Sequence, residues 1–231
     1  MPNPCLRLAL VTVCALSPAL SPTAAFAEES DWSGMYLGLG ASYLDLETTQ
    51  YSLAQGAAPF YLSGIYGGGH RHGFIQTELR QQSGARVLGL RLRHQKTGSA
   101  GDSYLQTDET LSTKMTSVTS LSATIGYAVQ PKLMVYANAG ATYGRFDYCS
   151  VDFEWDQVDF SEKANRVGVT LGLGAEYRLT ERLSAFTEVN MTRFVTGSAT
   201  FHYPPPSETT QWTYDFDHDY SEIAMGMNIR F

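Results

Sequence analysis

The carboxy-terminal sequence SEIAMGMNIRF is the feature that most limits how this chain can fold. Every second residue back from Phe231 is apolar, giving Ile229, Met227, Met225 and Ile223, while small, polar or charged residues lie between them. Such strict alternation predicts a β-strand with one apolar and one polar face. The fold therefore depends on which face meets which solvent.

Five further segments repeat this pattern, and each is about as long as a tilted strand that crosses a bilayer, ~9–11 residues. They cover residues 35–43, 121–129, 133–143, 167–177 and 183–191. Three-residue connections at 130–132 and 180–182 keep the apolar residues on one side of each hairpin. Polar stretches at about 145–165 and 195–219 predict long loops. Short turns that alternate with long loops are typical of outer-membrane barrels.

Residues 46–116 must supply two more strands joined by a short turn. We prefer a hairpin over 73–95 with Ser83 and Gly84 as its turn. That register places Leu79 opposite Leu88, Thr77 opposite Leu90 and Ile75 opposite Leu92. The alternative makes FYLSGIYGGG the second strand, turns at HRHG and continues through FIQTELRQQ. Both alternatives predict an all-β fold, an eight-stranded antiparallel transmembrane up-and-down β-barrel.

Glycines and charges inside the strands indicate which face is the interior. The strand glycines all fall on the polar face: Gly38, Gly40, Gly89, Gly126, Gly140, Gly144, Gly168, Gly172, Gly174 and Gly226. That face also carries Arg93 and the residues that we predict to form interior ion pairs, Glu78, Arg91, Arg166, Glu176, Glu188, Glu222 and Arg230. Eight strands leave an interior just wide enough for side chains, so glycine there makes room for long charged ones. We predict a filled polar interior, and the inverse, a soluble barrel with an apolar interior, fits these residues less well.

Aromatic residues near the strand ends support this orientation. Tyr43, Tyr127, Tyr143, Tyr177 and Phe231 fall on the outward face, where aromatic girdles form at the two membrane interfaces. Tyr36 and Tyr136, in contrast, are predicted to pack inward.

The first 27 residues predict a secretory signal peptide, because an apolar run follows Arg7 and a small-residue site ends at Ala27. Residues 28–231 then form a single barrel domain. The whole chain has a net charge of −7, and the loss of Arg7 with the signal makes the remainder more acidic. This charge argues against nucleic acid as a partner. Cys149 is the one cysteine left after the signal, so no internal disulfide is expected.

The predicted third and fourth long loops combine aromatic residues with carboxylates, which suits protein recognition. The recognition candidates are Phe153, Trp155, Trp212, Tyr214 and Phe216. Two alternatives remain: the carboxylates could chelate a divalent cation, or these segments could be strand extensions whose aromatic rings pack on one another. No histidine spacing matches a zinc site, and we predict no metal, cofactor or catalytic residue and no enzymatic activity.

Three segments resemble the small porin-like outer-membrane β-barrel proteins of Gram-negative bacteria, which are related in fold to the transmembrane domain of OmpA. They are DWSGMYLGLGASY, LGLGAEYRLTERLSAFTEVN and the terminal GMNIRF. The resemblance implies eight strands and a location in the cell outer membrane, reached through the periplasm, among lipid and lipopolysaccharide. It also implies that Phe231 is a signal read by the barrel-insertion machinery.

Members of this family are often surface antigens, adhesins or envelope stabilisers. We therefore predict a structural or adhesive role, with a host or matrix protein as a possible partner of the long loops. The first alternative is a narrow porin or small-ligand receptor, and the second is an outer-membrane enzyme that acts on lipid.

Overall fold

The computed structural model describes residues 31–53, 69–104, 109–152, 157–202 and 211–231. The predicted cleavage after Ala27 lies outside these residues. The strands are β1 (Gly34–Leu53), β2 (Gly69–Ser83), β3 (Arg86–Tyr104), β4 (Glu109–Gln130), β5 (Leu133–Asp152), β6 (Gln157–Arg178), β7 (Leu183–Phe194), β8 (Gly197–His202) and β9 (Gln211–Arg230). Among the described residues, no helix is both long and apolar enough to cross a membrane.

Each strand pairs antiparallel with its neighbour, and β1 also pairs with β9, which closes the sheet into a barrel. The segments β7 and β8 lie end to end, and both pair with β9. Between Arg193 and Gly197 the register with β9 shifts by one residue, as a β-bulge requires. Together β7 and β8 form one barrel strand, so the predicted eight-stranded antiparallel barrel is confirmed.

The β2–β3 hairpin follows our preferred alternative, but its predicted register was wrong. Leu79 pairs with Leu90, not Leu88, and Ser83 pairs with Arg86. The turn is Gly84–Ala85, one residue later than predicted, and Gly84 has a φ of +59°. Glycine enters that left-handed region without the steric cost that other residues have. Moving the turn by one residue moves each cross-strand partner by two, so the faces remain as predicted.

The other two short turns differ in how well the sequence predicted them. At the β6–β7 turn, the amide of Leu179 donates to the carbonyl of Leu183 over 2.9 Å, so residues 180–182 connect the strands as predicted. At the β4–β5 turn, Gln130 pairs with Leu133, and the register shifts between Ala128 and Gln130. The predicted three-residue turn there is a two-residue turn beside a bulge.

Most of the predicted long loops are strand. β5 continues to Asp152 and β6 resumes at Gln157, while β8 and the first half of β9 occupy much of 195–219. The alternation of apolar residues stops where the strands leave the hydrocarbon, because both faces there meet polar surroundings or a small core. The sequence signal therefore ended before the hydrogen-bonded sheet did.

The apolar row of each membrane-spanning segment faces outward. Leu39, Leu173 and Met191 are at least 63% exposed, whereas Tyr36 and Tyr136 are buried as predicted. Since short turns lie on the periplasmic side of such barrels, exposed Tyr43 and Tyr143 mark the extracellular boundary of the apolar belt. The periplasmic boundary carries exposed Tyr127, Tyr177 and Phe231. The belt and its aromatic girdles place the barrel in a lipid bilayer with its polar face inside.

Inward glycines occupy places where a side chain would collide with the interior. A Cβ added at Gly89 would lie 2.6 Å from Glu78 Oε1. A Cβ at Gly172 would overlap Asn190 Oδ1 and come within 2.6 Å of Asn138 Nδ2. These glycines leave room for long polar side chains of the neighbouring strands to extend over them into the lumen.

We expect Gly172→Val to lower the free energy of unfolding by about 1–3 kcal/mol or more, because overpacking displaces the two interior asparagines. Urea titration of the barrel refolded in lipid vesicles measures the change. Gly73→Val is the matched control, since a Cβ at outward-facing Gly73 has only the Gly40 carbonyl oxygen near it, at 3.9 Å. Equal losses in both variants would contradict the proposed space constraint.

Candidate functional site

The middle of the lumen holds a continuous ion-pair network. Glu78 on β2 accepts hydrogen bonds from Arg80 at 2.8 Å and from Arg91 of β3 at 3.0 Å. Arg80 also reaches across the barrel to Glu176 of β6 at 2.6 Å. Arg80 and Arg91, together with the carboxylates of Glu78 and Glu176, therefore connect β2, β3 and β6.

The same network continues towards the extracellular side. Arg91 donates to Glu188 of β7, which also receives Arg93 at 2.9 Å. Arg93 lies 3.5 Å from Glu222 of β9, so the chain of pairs joins side chains from β2, β3, β6, β7 and β9 across the lumen. Every charged side chain in this network is at most 6% exposed.

Aromatic rings and a phenol complete the surroundings of the arginines. The guanidinium of Arg80 lies 4.2 Å from the ring centroid of Tyr36, and that of Arg93 lies 4.4 Å from Phe74. The Tyr136 hydroxyl donates to Glu188 over 2.9 Å. A buried charge needs both an opposite charge and hydrogen bonds to offset desolvation, and a guanidinium also gains from an aromatic face.

A tryptophan closes the periplasmic end. Trp32 is fully buried and packs with Met134 and Tyr136, with Arg178 over its ring at 4.2 Å. Beside it, Arg230 Nη2 donates to Asp31 Oδ2 over 2.7 Å. Hydrogen bonds from Ser33, together with Arg230, hold the pKa of Asp31 below its usual range.

An apolar and aromatic layer fills the extracellular end of the lumen. His218 stacks on Phe146 with ring centroids 4.3 Å apart. Its Nδ1 lies 3.0 Å from Thr48 Oγ1 and its Nε2 lies 2.7 Å from the Tyr148 hydroxyl, so both ring nitrogens have partners. The buried members of this layer are Leu44, Leu46, Met115, Val118, Phe146, Tyr148, Phe194, Phe216 and Tyr220.

Little empty space remains between these layers. A cavity of about 20 Å³ adjoins Arg91, Gln95, Asn138 and Glu222. That volume suits roughly one water molecule. In the part of the chain that the structure describes, the lumen is a packed core with charged pairs at its centre.

Five of the seven predicted ion-pair residues meet in the network: Glu78, Arg91, Glu176, Glu188 and Glu222. Arg166 and Arg230 do not. Arg166 lies near the extracellular layer, where its Nη2 donates to the Ser198 carbonyl over 3.1 Å. Arg230 pairs with Asp31 at the periplasmic rim. Alternation identified the inward face correctly, but it gives no information about height along the barrel axis.

Arg80 and Arg93 belong to the network but were not among the predicted candidates. Each lies two residues from a predicted member, Arg80 from Glu78 and Arg93 from Arg91. Residues two apart in a strand share a face, so the same alternation could have included both.

The predicted recognition residues lie in several places. Phe153 and Trp155 fall outside the described residues. Trp212 and Tyr214 lie on the backbone of β9, where their side chains are not described. Phe216 is 1% exposed and packs 4.6 Å from Tyr148, measured between ring centroids. Its ring is part of the interior layer, which is the arrangement that the alternative of strand extensions with packed aromatic rings describes.

Among the described residues, no cluster of three or more histidine, cysteine, aspartate or glutamate side chains could hold a metal ion.

A closed sheet with an apolar outer belt and a charged, filled interior defines a small outer-membrane β-barrel. The chain matches the family model of the outer membrane protein beta-barrel domain over residues 8–229, and it belongs to that family. It is a protein of the Gram-negative cell outer membrane. No curated protein sequence matches it.

Solved structures of other outer-membrane proteins share the fold. The outer membrane protein OprG from Pseudomonas aeruginosa has a TM-score of 0.61 at 13% identity, over 89% of this chain and 99% of that one. The attachment invasion locus protein Ail of Yersinia pestis has a TM-score of 0.47 at 10% identity, over 86% and 99%. The outer membrane protease OmpT from Escherichia coli has a TM-score of 0.48 at 10% identity, over 86% and 97%. At these identities the likeness concerns the fold alone.

We expect Arg91→Met to lower the free energy of unfolding by about 3–5 kcal/mol, because it leaves Glu78 and Glu188 buried with a missing partner. Arg193→Met is the matched control. Arg193 also pairs with a carboxylate, Asp219, but its side chain is 82% exposed, so its loss should cost only about 0–1 kcal/mol. Urea unfolding in lipid vesicles measures both, and similar values would show that the buried network does not stabilise the barrel.

Proposed function

We propose that this protein is a non-conducting outer-membrane scaffold with a structural or adhesive role, carried by the part that projects from the cell. The single observation that supports this most is the filled lumen. Buried ion pairs occupy its middle, and apolar layers lie on both sides of them. A conducting pathway would require at least Arg80 and Arg91 to release their carboxylates together.

The projecting part favours a display role. β1 continues from Tyr43 at the membrane boundary to Leu53, and β9 begins at Gln211 and meets that boundary near Ile223. At ~3.3 Å per residue and a tilt of ~40°, ten residues rise roughly 25 Å above the hydrocarbon. An ordered wall of this height can carry binding segments clear of the lipid headgroups.

A non-catalytic role also agrees with the chemistry of the interior. Each of the four buried glutamates lies within 4.0 Å of an arginine nitrogen. A carboxylate held in this way is poorly placed to act as a general acid or base, because it is buried and at least one of its oxygens lies against an arginine. The interior charges are therefore proposed to stabilise the barrel.

For the partner, we propose a host or matrix protein bound by segments that connect the projecting strands. Phe153 and Trp155 lie between β5 and β6 in a sequence rich in Asp and Glu. Aromatic residues combined with charge are typical binding hot spots. We further propose that the barrel-insertion machinery reads Phe231, whose side chain is 70% exposed at the periplasmic girdle.

We expect the purified barrel to give no discrete, reproducible channel openings in planar lipid bilayers, because ion pairs and two apolar layers fill the lumen in the described part of the chain. Single-channel recording at high salt measures this directly. A variant with Arg80, Arg91 and Arg93 replaced by serine serves as a positive comparison if it folds. Regular openings of the native barrel would favour the narrow-pore alternative.

We expect binding of intact cells to immobilised matrix proteins to fall about tenfold or more when Phe153 and Trp155 are both changed to serine, since hot-spot residues cost 2 kcal/mol or more when truncated. Cell attachment assays with equal surface amounts of each variant measure the effect. Pro131→Ser, at a periplasmic turn, is the control. Unchanged attachment of the Phe153 and Trp155 variant would contradict the proposed recognition site.

A further inference from the structure

The outer surface above the membrane belt is basic on one side of the barrel. Lys96, Lys114, Arg145 and Lys163 lie on β3 to β6, and their side chains are exposed. Arg145 pairs in register with Ser117, which also pairs with Lys96. Asp147 lies between Lys114 and Lys163 in the next row. Two strand spacings separate Lys96 from Arg145, about 10 Å, so one phosphorylated headgroup could reach both.

Among the described residues, none of these four bases forms an ion pair with a carboxylate. Of the ion pairs shorter than 4.0 Å in the described residues, two are exposed to solvent, and they join Arg193 to Asp219 and Arg230 to Asp31. The basic patch, defined as Lys96, Lys114, Arg145 and Lys163, therefore has a net charge of about +3 once Asp147 is included. It is available to an anionic partner.

An apolar groove lies in the membrane belt, lower on the same strands as the basic patch. Its volume is about 620 Å³ and its floor includes Ala123, Ala137 and Ala139. Longer side chains, among them Ile125 and Leu171, form its sides. The groove exists because β4 and β5 place alanines outward where most other strands place leucine, isoleucine or methionine.

The groove and the basic patch share strands, so their vertical order is fixed. Along β5, outward residues run from Ala137 and Ala139 through Tyr143 to Arg145. From Ala137 to Arg145 this path rises roughly 20 Å at the tilt usual for such barrels. A lipid of the outer leaflet presents acyl chains, then a sugar or glycerol backbone, then phosphate over a similar distance.

We propose that this face binds one phosphorylated acyl glycolipid of the outer leaflet, of the lipopolysaccharide class. Its phosphate pairs with Lys96 and Arg145, its sugar lies against the ring of Tyr143, and an acyl chain fills the alanine groove. The site does not depend on the proposed adhesive role, because it uses only the outward face of the barrel wall.

The opposite side of the barrel explains why the site lies on this side alone. Outward residues above the belt on β1 and β9 are acidic, including Asp45, Glu47 and Asp219. Glu47 pairs in register with Asp219. Anionic headgroups are repelled there and attracted to β3–β6, where each nearby base contributes favourably.

The test is native mass spectrometry of the purified barrel in detergent micelles, titrated with bisphosphorylated lipid A. A one-to-one complex is expected, with affinity at least tenfold weaker for dephosphorylated lipid A and for the Lys96→Ser, Arg145→Ser double variant. Ala139→Leu, which fills the groove, should weaken binding several-fold. Because all three residues face outward, we expect each variant to fold. On gels run without heating, each should migrate at the position of the folded native barrel.

Two controls match these variants. Lys132→Ser removes an exposed base at the periplasmic β4–β5 turn, at the other end of the barrel from the patch, and Ala41→Leu enlarges an outward alanine on β1. Both should bind lipid A as the native barrel does. The proposal is overturned by equal binding of the native barrel and the patch variants, or by equal binding of phosphatidylglycerol. It is also overturned if this face instead holds a second copy of the chain, seen as a dimer that Ala139→Leu disrupts.

Discussion

The double engagement of Arg91, which binds Glu78 on one side and Glu188 on the other, is the interaction on which the rest of the interior depends. Lipid outside prevents these charges from facing outward. Eight strands leave little room to hydrate them inside. They must therefore neutralise one another across the lumen, which requires long side chains. Such side chains in turn require glycine on a neighbouring strand, such as Gly89 beside Glu78.

This requirement orders the lumen from one end to the other. Trp32 and its neighbours exclude water at the periplasmic end, and the layer around Phe146 and His218 does so at the extracellular end. Between them the charges meet in a low-dielectric space, where each pair attracts more strongly than it would in water. Because side chains alternate along a strand, none of this restricts the outer surface, which can develop separate apolar and charged regions.

The sequence predicted the faces of the strands better than their ends. The position of Glu188 on the inward face follows from alternation alone, and the structure has it there. The turn after Ser83 was misplaced by one residue, because Gly84 suits either register and only packing selects between them. The extension of β5 to Asp152 was missed, since polar sequence above the membrane looks like loop when periodicity fades.

In the candidate site, too, the sequence predicted which face a residue lies on but not its height along the barrel axis. Arg166 and Arg230 share the inward face with Arg91, but one lies near the extracellular layer and the other at the periplasmic rim. Their separation depends on strand tilt and register, which a single strand does not reveal. The basic patch and its groove arise from four neighbouring strands together, so they become visible only once those strands are aligned.

Because β1 pairs with β9, the position of the chain ends could be changed in this protein without changing the arrangement of the strands. The amide of Phe231 donates to the Met35 carbonyl over 2.9 Å, and beside it Arg230 donates a hydrogen bond to Asp31. The two ends of the barrel wall are thus neighbours on the periplasmic rim. A circular permutant that joins these two ends and has its new termini at Gly84–Ala85 would retain every pairing between adjacent strands, because a closed sheet has no edge strand.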